Sequence, residues 1–201
     1  MDLPAISEPA KTEWTEDEYL EGIGLDSELR YEYVRGRVYA MATPTAAHAE
    51  ISSNLFVPLH RHLRGKPCRV FKGEMALRIN FLGKPAFYIP DVMVACDDKP
   101  LTTNFREEPV VLVEVMSPAT MGNDLREKLL GYSTVPSLRH YLVVNQHKVE
   151  VYHYQPGAGL DSGTLPVGWK LNLRTERAEI IHIPELEFSF EVGDLYLETG
   201  I

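Results

Sequence analysis

Hydrophobic and polar residues are arranged along this chain mostly in short runs that are typical of β-strands. Tyr31–Val34 and Arg37–Met41 flank the dipeptide Arg35-Gly36, a pattern that predicts a tight β-hairpin. Further runs rich in β-branched and aromatic residues follow in the middle and C-terminal parts of the chain. The other predicted strands are Cys68–Lys72, Met75–Ile79, Phe87–Ile89, Asp91–Cys96, Val110–Met116, Tyr141–Asn145, Val149–Tyr154 and Glu187–Val192.

Two longer stretches have the spacing of amphipathic helices. Apolar residues recur every four positions from Ile51 to Leu63, which predicts a helix over Thr45–Leu63 that Pro58 bends rather than breaks. A second helix is predicted over Thr120–Ser133, where apolar residues again have core spacing and a proline follows. This second helix joins two predicted strands, so we expect a βαβ connection.

The order of these elements predicts one domain of mixed α/β or α+β architecture, with a mixed β-sheet core flanked by helices. Residues 1–13 contain scattered prolines and no periodicity, so we expect a flexible N-terminal arm before a single domain over residues 14–201. Thr15 and Glu18 have the spacing of a capping box that starts a short helix. A short terminal helix is predicted over Asp194–Glu198.

Glu114 is the residue that departs most clearly from its surroundings. It lies within an apolar run that reads as a strand buried on both faces. Burying an unpaired carboxylate is so unfavourable that the side chain must meet a cation, a metal ion or strong donors, or lose its charge. Glu114 is therefore the first candidate for chemistry.

Asp91 is the second candidate, 23 residues before Glu114 and also within an apolar run. Neighbouring strands would bring the two carboxylates together, and two acids with a backbone carbonyl suit a hard divalent cation that keeps several waters. Pro90 disfavours a central strand and places Asp91 at an edge or a strand start. Lys128 lies at the border of the second helix's apolar stripe, where it either reaches Glu114 or pairs with Asp124 in water; periodicity leaves both open.

Composition limits the possible functions. Twenty Lys and Arg against 29 Asp and Glu give a net charge of −9, which disfavours nonspecific coating of nucleic acid. Cys68 and Cys96 are the only cysteines and lack metal-site spacing, so we expect reduced structural thiols. The N-terminal residues lack a signal-like pattern and no run is long enough for a spanning helix, so we expect a soluble, cytoplasmic protein.

Four blocks of the sequence, taken in order, carry a family resemblance. They are Ile89-Pro-Asp-Val92, Val113-Glu-Val-Met-Ser-Pro-Ala-Thr120, Asp124-x-x-x-Lys128-x-x-x-Tyr132 and His140-Tyr-Leu-Val-Val-Asn145. Together they resemble the Uma-type restriction endonuclease family of the PD-(D/E)xK phosphodiesterase superfamily. The resemblance covers nearly everything beyond residue 14, because it extends to Glu32-Tyr-Val-Arg-Gly36, His48, Pro184-Glu-Leu and Phe188–Tyr196.

The resemblance implies a restriction-endonuclease-like fold with an extra N-terminal hairpin and extra C-terminal strands. It implies that Asp91 and Glu114 bind a divalent metal, Mg²⁺ or Mn²⁺, and that Glu32 completes or orients the acidic cluster. Lys128 then replaces the lysine that the parent pattern places at Met116. The candidates for substrate contact or for support of these residues are His48, Asp124 and Tyr132.

The function implied is that of an enzyme, a metal-dependent endonuclease that hydrolyses phosphodiester bonds in DNA. Two alternatives stay open: a weakly active or inactive binding or scaffold protein that keeps the nuclease fold, which the net charge of −9 favours, and a phosphodiesterase acting on RNA or a small nucleotide. Apolar strands in the C-terminal half offer edges that a second copy would cover, so a homodimer is a further expectation.

Overall fold

The computed structural model describes residues 13–23, 30–116, 123–157 and 166–201. The helices in these ranges are α1 (Glu16–Glu18), continued by a π-helical turn over Tyr19–Ile23, α2 (Ala46–His62) and α3 (Asn123–Tyr132), with 3-10 helices over Pro184–Leu186 and Val192–Tyr196. The strands are β1 (Tyr31–Val34), β2 (Arg37–Ala40), β3 (Arg69–Lys72), β4 (Ala76–Phe81), β5 (Lys84–Tyr88), β6 (Val92–Ala95), β7 (Phe105–Arg106), β8 (Pro109–Met116), β9 (His140–Asn145), β10 (Val151–Pro156), β11 (Trp169–Arg174), β12 (Ile180–Ile183) and β13 (Phe188–Glu191).

The strands form two larger sheets and one hairpin. The first sheet has five strands in the order β2-β1-β5-β4-β7, and the second has six in the order β11-β10-β9-β8-β6-β3. The chain passes from the first sheet to the second between β5 and β6, over residues 89–91. In the second sheet β8 and β9 run parallel, and α3 lies between them in the chain, as the predicted βαβ connection requires.

Apolar residues pack on both faces of the six-stranded sheet. Because side chains alternate along a strand, Val113 and Val115 of β8 belong to the core shared with α2 and the C-terminal hairpin, while Leu112 and Met116 belong to the core shared with α3. Glu114 lies two residues from each of Leu112 and Met116, so its side chain is on the same face of the strand as theirs. The sequence of β8 therefore directs Glu114 to the side of the sheet on which α3 packs.

The mixed α+β architecture is confirmed, and most predicted elements are present with bounds shifted by a few residues. Thr15 and Glu18 form the predicted capping box, and Pro58 lies inside α2. Strands β7, β11 and β12 have no counterpart among the predicted strands, and the predicted terminal helix is a 3-10 helix that starts two residues earlier. Within the described ranges, no helix is both long enough and apolar enough to cross a membrane.

The prediction of two reduced thiols is wrong, because Cys68 and Cys96 are joined by a disulfide. Strands β3 and β6 pair antiparallel with Arg69 opposite Ala95, so the cysteines just beyond this pair lie across from each other, with their Cα atoms 4.0 Å apart. The two residues are 28 positions apart in sequence. Their proximity depends on strand pairing, which cysteine spacing alone does not reveal.

Loss of this disulfide is expected to destabilise the fold. Because the cross-link restricts the unfolded chain over a separation of 28 residues, the Cys68→Ser, Cys96→Ser double variant should lower the free energy of unfolding by roughly 3 kcal/mol. Urea unfolding of the wild type with and without a thiol reductant provides the measurement. An unfolding midpoint that reduction leaves unchanged would contradict a stabilising role.

A buried polar network links β9, β10 and the Pro184–Leu186 helix. His140 Nδ1 lies 2.9 Å from His153 Nε2, and His140 Nε2 lies 2.8 Å from Glu185 Oε2. This pattern assigns the His140 proton to Nε2, which donates to the carboxylate, while Nδ1 accepts from His153. Burial lowers the pKa of His140, and burial together with the neighbouring His140 lowers the pKa of His153 to about 3.

Acid should weaken the fold through His153. The unfolded chain binds a proton there below the ordinary pKa of 6.5, whereas the folded protein does so only near pH 3, so the free energy of unfolding falls as the pH drops through that window. We expect the loss between pH 7.5 and 5.5 to be smaller in His153→Gln than in the wild type by about 1.4 kcal/mol. Urea titrations at the two pH values measure it, and equal losses in the two proteins would refute it.

Candidate functional site

Asp91 lies where the chain crosses from the five-stranded to the six-stranded sheet. The preceding proline has no N–H for a strand ladder, and β6 begins only at Val92. Because β6 pairs antiparallel with β8, with Val92 opposite Val113, Asp91 comes beside the segment that contains Glu114. Asp91 Oδ2 accepts a hydrogen bond from the backbone N–H of Val115 at 2.7 Å.

Lys128 links the carboxylates of the two sheets. Its ammonium, on α3, donates to Glu32 Oε1 at 2.8 Å and to Glu114 Oε1 at 3.1 Å. Glu32 belongs to β1 of the five-stranded sheet and also accepts a hydrogen bond from the backbone N–H of Ile89 at 3.0 Å. Glu114 belongs to β8 of the six-stranded sheet. One cation therefore holds together two acidic residues that are 82 positions apart in the chain.

The charges in this cluster are strongly coupled because little water reaches them. The side chains of Glu114, Glu32 and Lys128 are only 12%, 14% and 15% exposed. Burial, together with the charges of Asp91 and Glu32, raises the pKa of Glu114 to about 7 against the lowering effects of the Lys128 charge and the Tyr132 hydrogen bond. Burial lowers the pKa of Lys128, but the two glutamates more than offset this and hold it well above its ordinary value.

Two tyrosines and a histidine complete the surroundings of the charged residues. The Tyr132 hydroxyl, one helical turn beyond Lys128, donates to Glu114 Oε1 at 2.8 Å. His48 Nε2 lies 2.8 Å from Asp91 Oδ1. The second tyrosine, Tyr141 of β9, packs edge-to-face against Tyr132 with ring centroids 5.0 Å apart.

The first turn of α2 holds His48 in this position. Thr45 caps the helix, since its Oγ1 accepts a hydrogen bond from the His48 N–H at 3.1 Å. The same Oγ1 also donates to the Gln146 side chain, whose amide donates to the carbonyl of Met116 at 2.8 Å. The end of β8, the end of β9 and the start of α2 are thus tied together beside Asp91.

The structure brings six of the seven candidate site residues together. For Lys128, the alternative of a solvated lysine is wrong, because the side chain contacts Glu32 and Glu114. Asn145 forms a turn, accepting a hydrogen bond from the His147 N–H at 2.9 Å. The predicted role of Asp124 concerns a side chain outside the described part of the chain. The residues brought together are Glu32, His48, Asp91, Glu114, Lys128 and Tyr132.

Sequence reasoning missed Tyr141 and Gln146. Tyr141 was visible only as an aromatic residue in an apolar strand, which predicts packing and no more. Gln146 follows that strand in the Asn145-Gln-His147 segment, where polar residues indicate a turn. Its contacts with Thr45 and Met116 depend on the parallel pairing of β8 with β9, which places Met116 opposite Asn145.

Asp91 and Glu114 supply oxygen ligands of the type that Mg²⁺ and Mn²⁺ prefer. Within the ranges that the structure describes, no group of three or more His, Cys, Asp or Glu side chains is arranged to hold a metal ion. Mg²⁺ keeps several waters and needs only one or two carboxylates. Both hydrogen bonds that Glu114 accepts in the described part of the chain go to Oε1, which leaves Oε2 available. The chemistry of these two carboxylates therefore suits a largely hydrated cation.

The chain forms a mixed α+β domain that holds acidic residues and a lysine at the junction of two sheets. The chain belongs to the Uma2 family, described as "Putative restriction endonuclease", which matches residues 16–187.

The chain is also similar to two uncharacterized proteins and to a solved structure. The chain is 31% identical over 168 residues to "Uncharacterized protein slr1290" of Synechocystis sp. (strain ATCC 27184 / PCC 6803 / Kazusa), covering 83% of each chain. It is 29% identical over 127 residues to "Uncharacterized protein sll1609" of the same strain, covering 62% of this chain and 71% of that protein. The crystal structure of "a putative nuclease belonging to DUF820" from Anabaena variabilis ATCC 29413 matches with a TM-score of 0.70 at 16% identity, over 91% of this chain and 97% of that one. This last likeness shows the fold.

Removing the shared cation should destabilise the protein in the absence of metal. We expect Lys128→Met to lower the free energy of unfolding by roughly 2 to 3 kcal/mol, because Glu32 and Glu114 lose their shared counter-charge in a poorly hydrated site, where Glu114 must then stay charged without it or take up a proton. Arg126→Met, which removes an exposed cation from the same helix, is the matched control and should have little effect. Urea unfolding measures both, and equal stabilities of the two variants would contradict the bridging role.

Proposed function

We propose that this protein is a divalent-metal-dependent endonuclease that hydrolyses phosphodiester bonds in DNA. The observation that carries the proposal is the Lys128 ammonium between Glu32 and Glu114, with Asp91 bonded to the backbone N–H of the residue after Glu114. An acidic pair that suits a cation, next to a lysine that suits a phosphate, is the combination that phosphodiester hydrolysis needs. Membership in the Uma2 family supports the nuclease assignment, and the family's description supports DNA as the substrate.

Asp91 and Glu114 would hold Mg²⁺ or Mn²⁺. When bound, the ion supplies Lewis-acid stabilisation of the phosphate and lowers the pKa of water. Lys128, which donates to Glu32 at 2.8 Å, would orient the attacking water or stabilise the negative charge that develops on the phosphate. Tyr132 orients Glu114 through its 2.8 Å hydrogen bond, and His48 with the Val115 N–H fixes both oxygens of Asp91.

The alternative of a binding protein that keeps the nuclease fold has one specific observation in its favour. The net charge of −9 gives the protein little long-range attraction for a polyanion.

The predicted homodimer stays a prediction. β11 is an edge strand of the six-stranded sheet, and its Leu171 and Leu173 side chains are 38% and 48% exposed. Both questions are separate from the chemistry of the acidic pair.

Metal binding should depend on Asp91 and Glu114. In titration calorimetry we expect the wild type to bind Mn²⁺. Asp91→Asn and Glu114→Gln should each lower the affinity for Mn²⁺ at least about tenfold, because each variant removes one of two anionic ligands. Asp98→Asn is the control, since Asp98 is an exposed aspartate after the far end of β6. The same two variants should abolish Mn²⁺-dependent cleavage of supercoiled DNA.

The outcomes separate the candidate functions. Mn²⁺ binding by the wild type that neither variant weakens would overturn the assignment of the site. Site-specific Mn²⁺ binding without cleavage of supercoiled, linear or single-stranded DNA, but with cleavage of RNA or a nucleotide phosphodiester, would move the substrate from DNA to that class. Binding without any cleavage would favour the binding protein.

A further inference from the structure

The hydroxyl of Tyr141 is buried and has no hydrogen-bond partner in the described part of the chain. The residue is 0% exposed, in the middle of the six-stranded sheet. A buried hydroxyl without a partner is unfavourable, and phenylalanine would fill the same space without this penalty. The hydroxyl therefore requires an explanation beyond packing.

Tyr141 lies beside the candidate site and on its side of the sheet. In the parallel pair of β8 and β9, Tyr141 is opposite Leu112 and Val143 is opposite Glu114. The Tyr141 and Glu114 side chains therefore lie on the same face of the sheet. Its ring meets Tyr132 edge-to-face, and the Tyr132 hydroxyl is bonded to Glu114. Tyr154 stacks on Tyr141 with ring centroids 5.6 Å apart.

The Tyr141 hydroxyl is available as a donor. Burial raises the pKa of Tyr141 well above its ordinary value, and the charge of Glu114 is the largest electrostatic contribution in the same direction. The hydroxyl thus keeps its proton at neutral pH and can donate it in a hydrogen bond. The charges of Lys128 and Glu32 act on it as well.

Glu114 needs a second donor whenever Lys128 is engaged elsewhere. In this structure Oε1 accepts from Tyr132 and from Lys128. In the proposed function the ammonium acts on the phosphate or the attacking water, and the carboxylate then loses one of its two donors in a poorly hydrated site, which is unfavourable. The unpaired hydroxyl of Tyr141, whose side chain lies on the same face of the sheet as Glu114, is a donor that can replace it.

We infer that Tyr141 is a positioning residue for Glu114, whose hydroxyl takes over as donor to this carboxylate when the Lys128 ammonium leaves it. The movement of Lys128 rests on the proposed function. The inferred competition of Tyr141 and Lys128 for Glu114 Oε1 does not, because it concerns the metal-free protein. The inference can therefore be tested without a substrate.

A double-mutant cycle between Tyr141→Phe and Lys128→Met tests the competition in metal-free protein. With Lys128 present, Tyr141→Phe removes an unpaired hydroxyl and should raise the melting temperature by about 2 to 4 °C. With Lys128→Met, the hydroxyl is bonded to Glu114, so the same Tyr141→Phe change should lower the melting temperature by about 2 °C or more. The sign of the effect reverses between the two backgrounds.

The control is Tyr154→Phe, which removes the hydroxyl of the ring stacked on Tyr141. It should shift the melting temperature equally in the protein with Lys128 and in the Lys128→Met variant. Lys128→Gln serves in place of Lys128→Met if the latter does not fold. If Tyr141→Phe shifts the melting temperature in the same direction in both backgrounds, the inference is overturned.

Calorimetry with Mn²⁺ alone tests the handover from Lys128 to Tyr141. If the ion displaces the ammonium from Glu114, Tyr141→Phe should weaken Mn²⁺ binding about fivefold, equivalent to about 1 kcal/mol, and Tyr154→Phe should not. A wild type that binds Mn²⁺ no better than Tyr141→Phe would overturn the handover. A wild type that binds no Mn²⁺ would overturn the proposed function, while the thermal cycle still decides whether Tyr141 and Lys128 compete.

Discussion

The site depends on the compensation of one buried charge, the Glu114 carboxylate in an apolar strand. Burial is the main cause that raises its pKa to about 7, whereas the charge of Lys128 and the hydrogen bond from Tyr132 favour the ionised form, and both groups donate to the same oxygen. An apolar residue at this position would be compatible with the strand and would need none of these partners. A glutamate at this position is therefore less favourable for folding than an apolar residue, but it leaves one carboxylate oxygen free for a cation.

The partners of the Glu114 carboxylate meet at the junction of two sheets. Glu32 reaches it from β1, Asp91 from the crossing into β6, Glu114 from β8 and Lys128 from α3. No single element contains the site, so its geometry depends on the whole arrangement of strands and helices. The backbone N–H groups of Ile89 and Val115 fix Glu32 and Asp91, so part of the positioning comes from the main chain and is independent of side-chain identity.

Much of this was predictable from sequence, for physical reasons that differ from residue to residue. Glu114 was predictable because a charge inside an apolar strand demands a partner, and Asp91 because Pro90 places it at the start of a strand. The periodicity of α3 left Lys128 at the edge of the apolar stripe, and only the family resemblance favoured its role in the site. Strand pairing determined what could not be predicted: the disulfide of Cys68 with Cys96, the contact of His140 with His153 and the place of Tyr141 all join residues through sheet register.

The central claim is that Asp91 and Glu114 together hold a divalent cation. The most direct measurement is anomalous X-ray diffraction from a crystal of the protein soaked in Mn²⁺. We expect an anomalous peak within coordinating distance of carboxylate oxygens of both residues. A peak elsewhere, or no peak while Lys128 remains bonded to both Glu32 and Glu114, would contradict it.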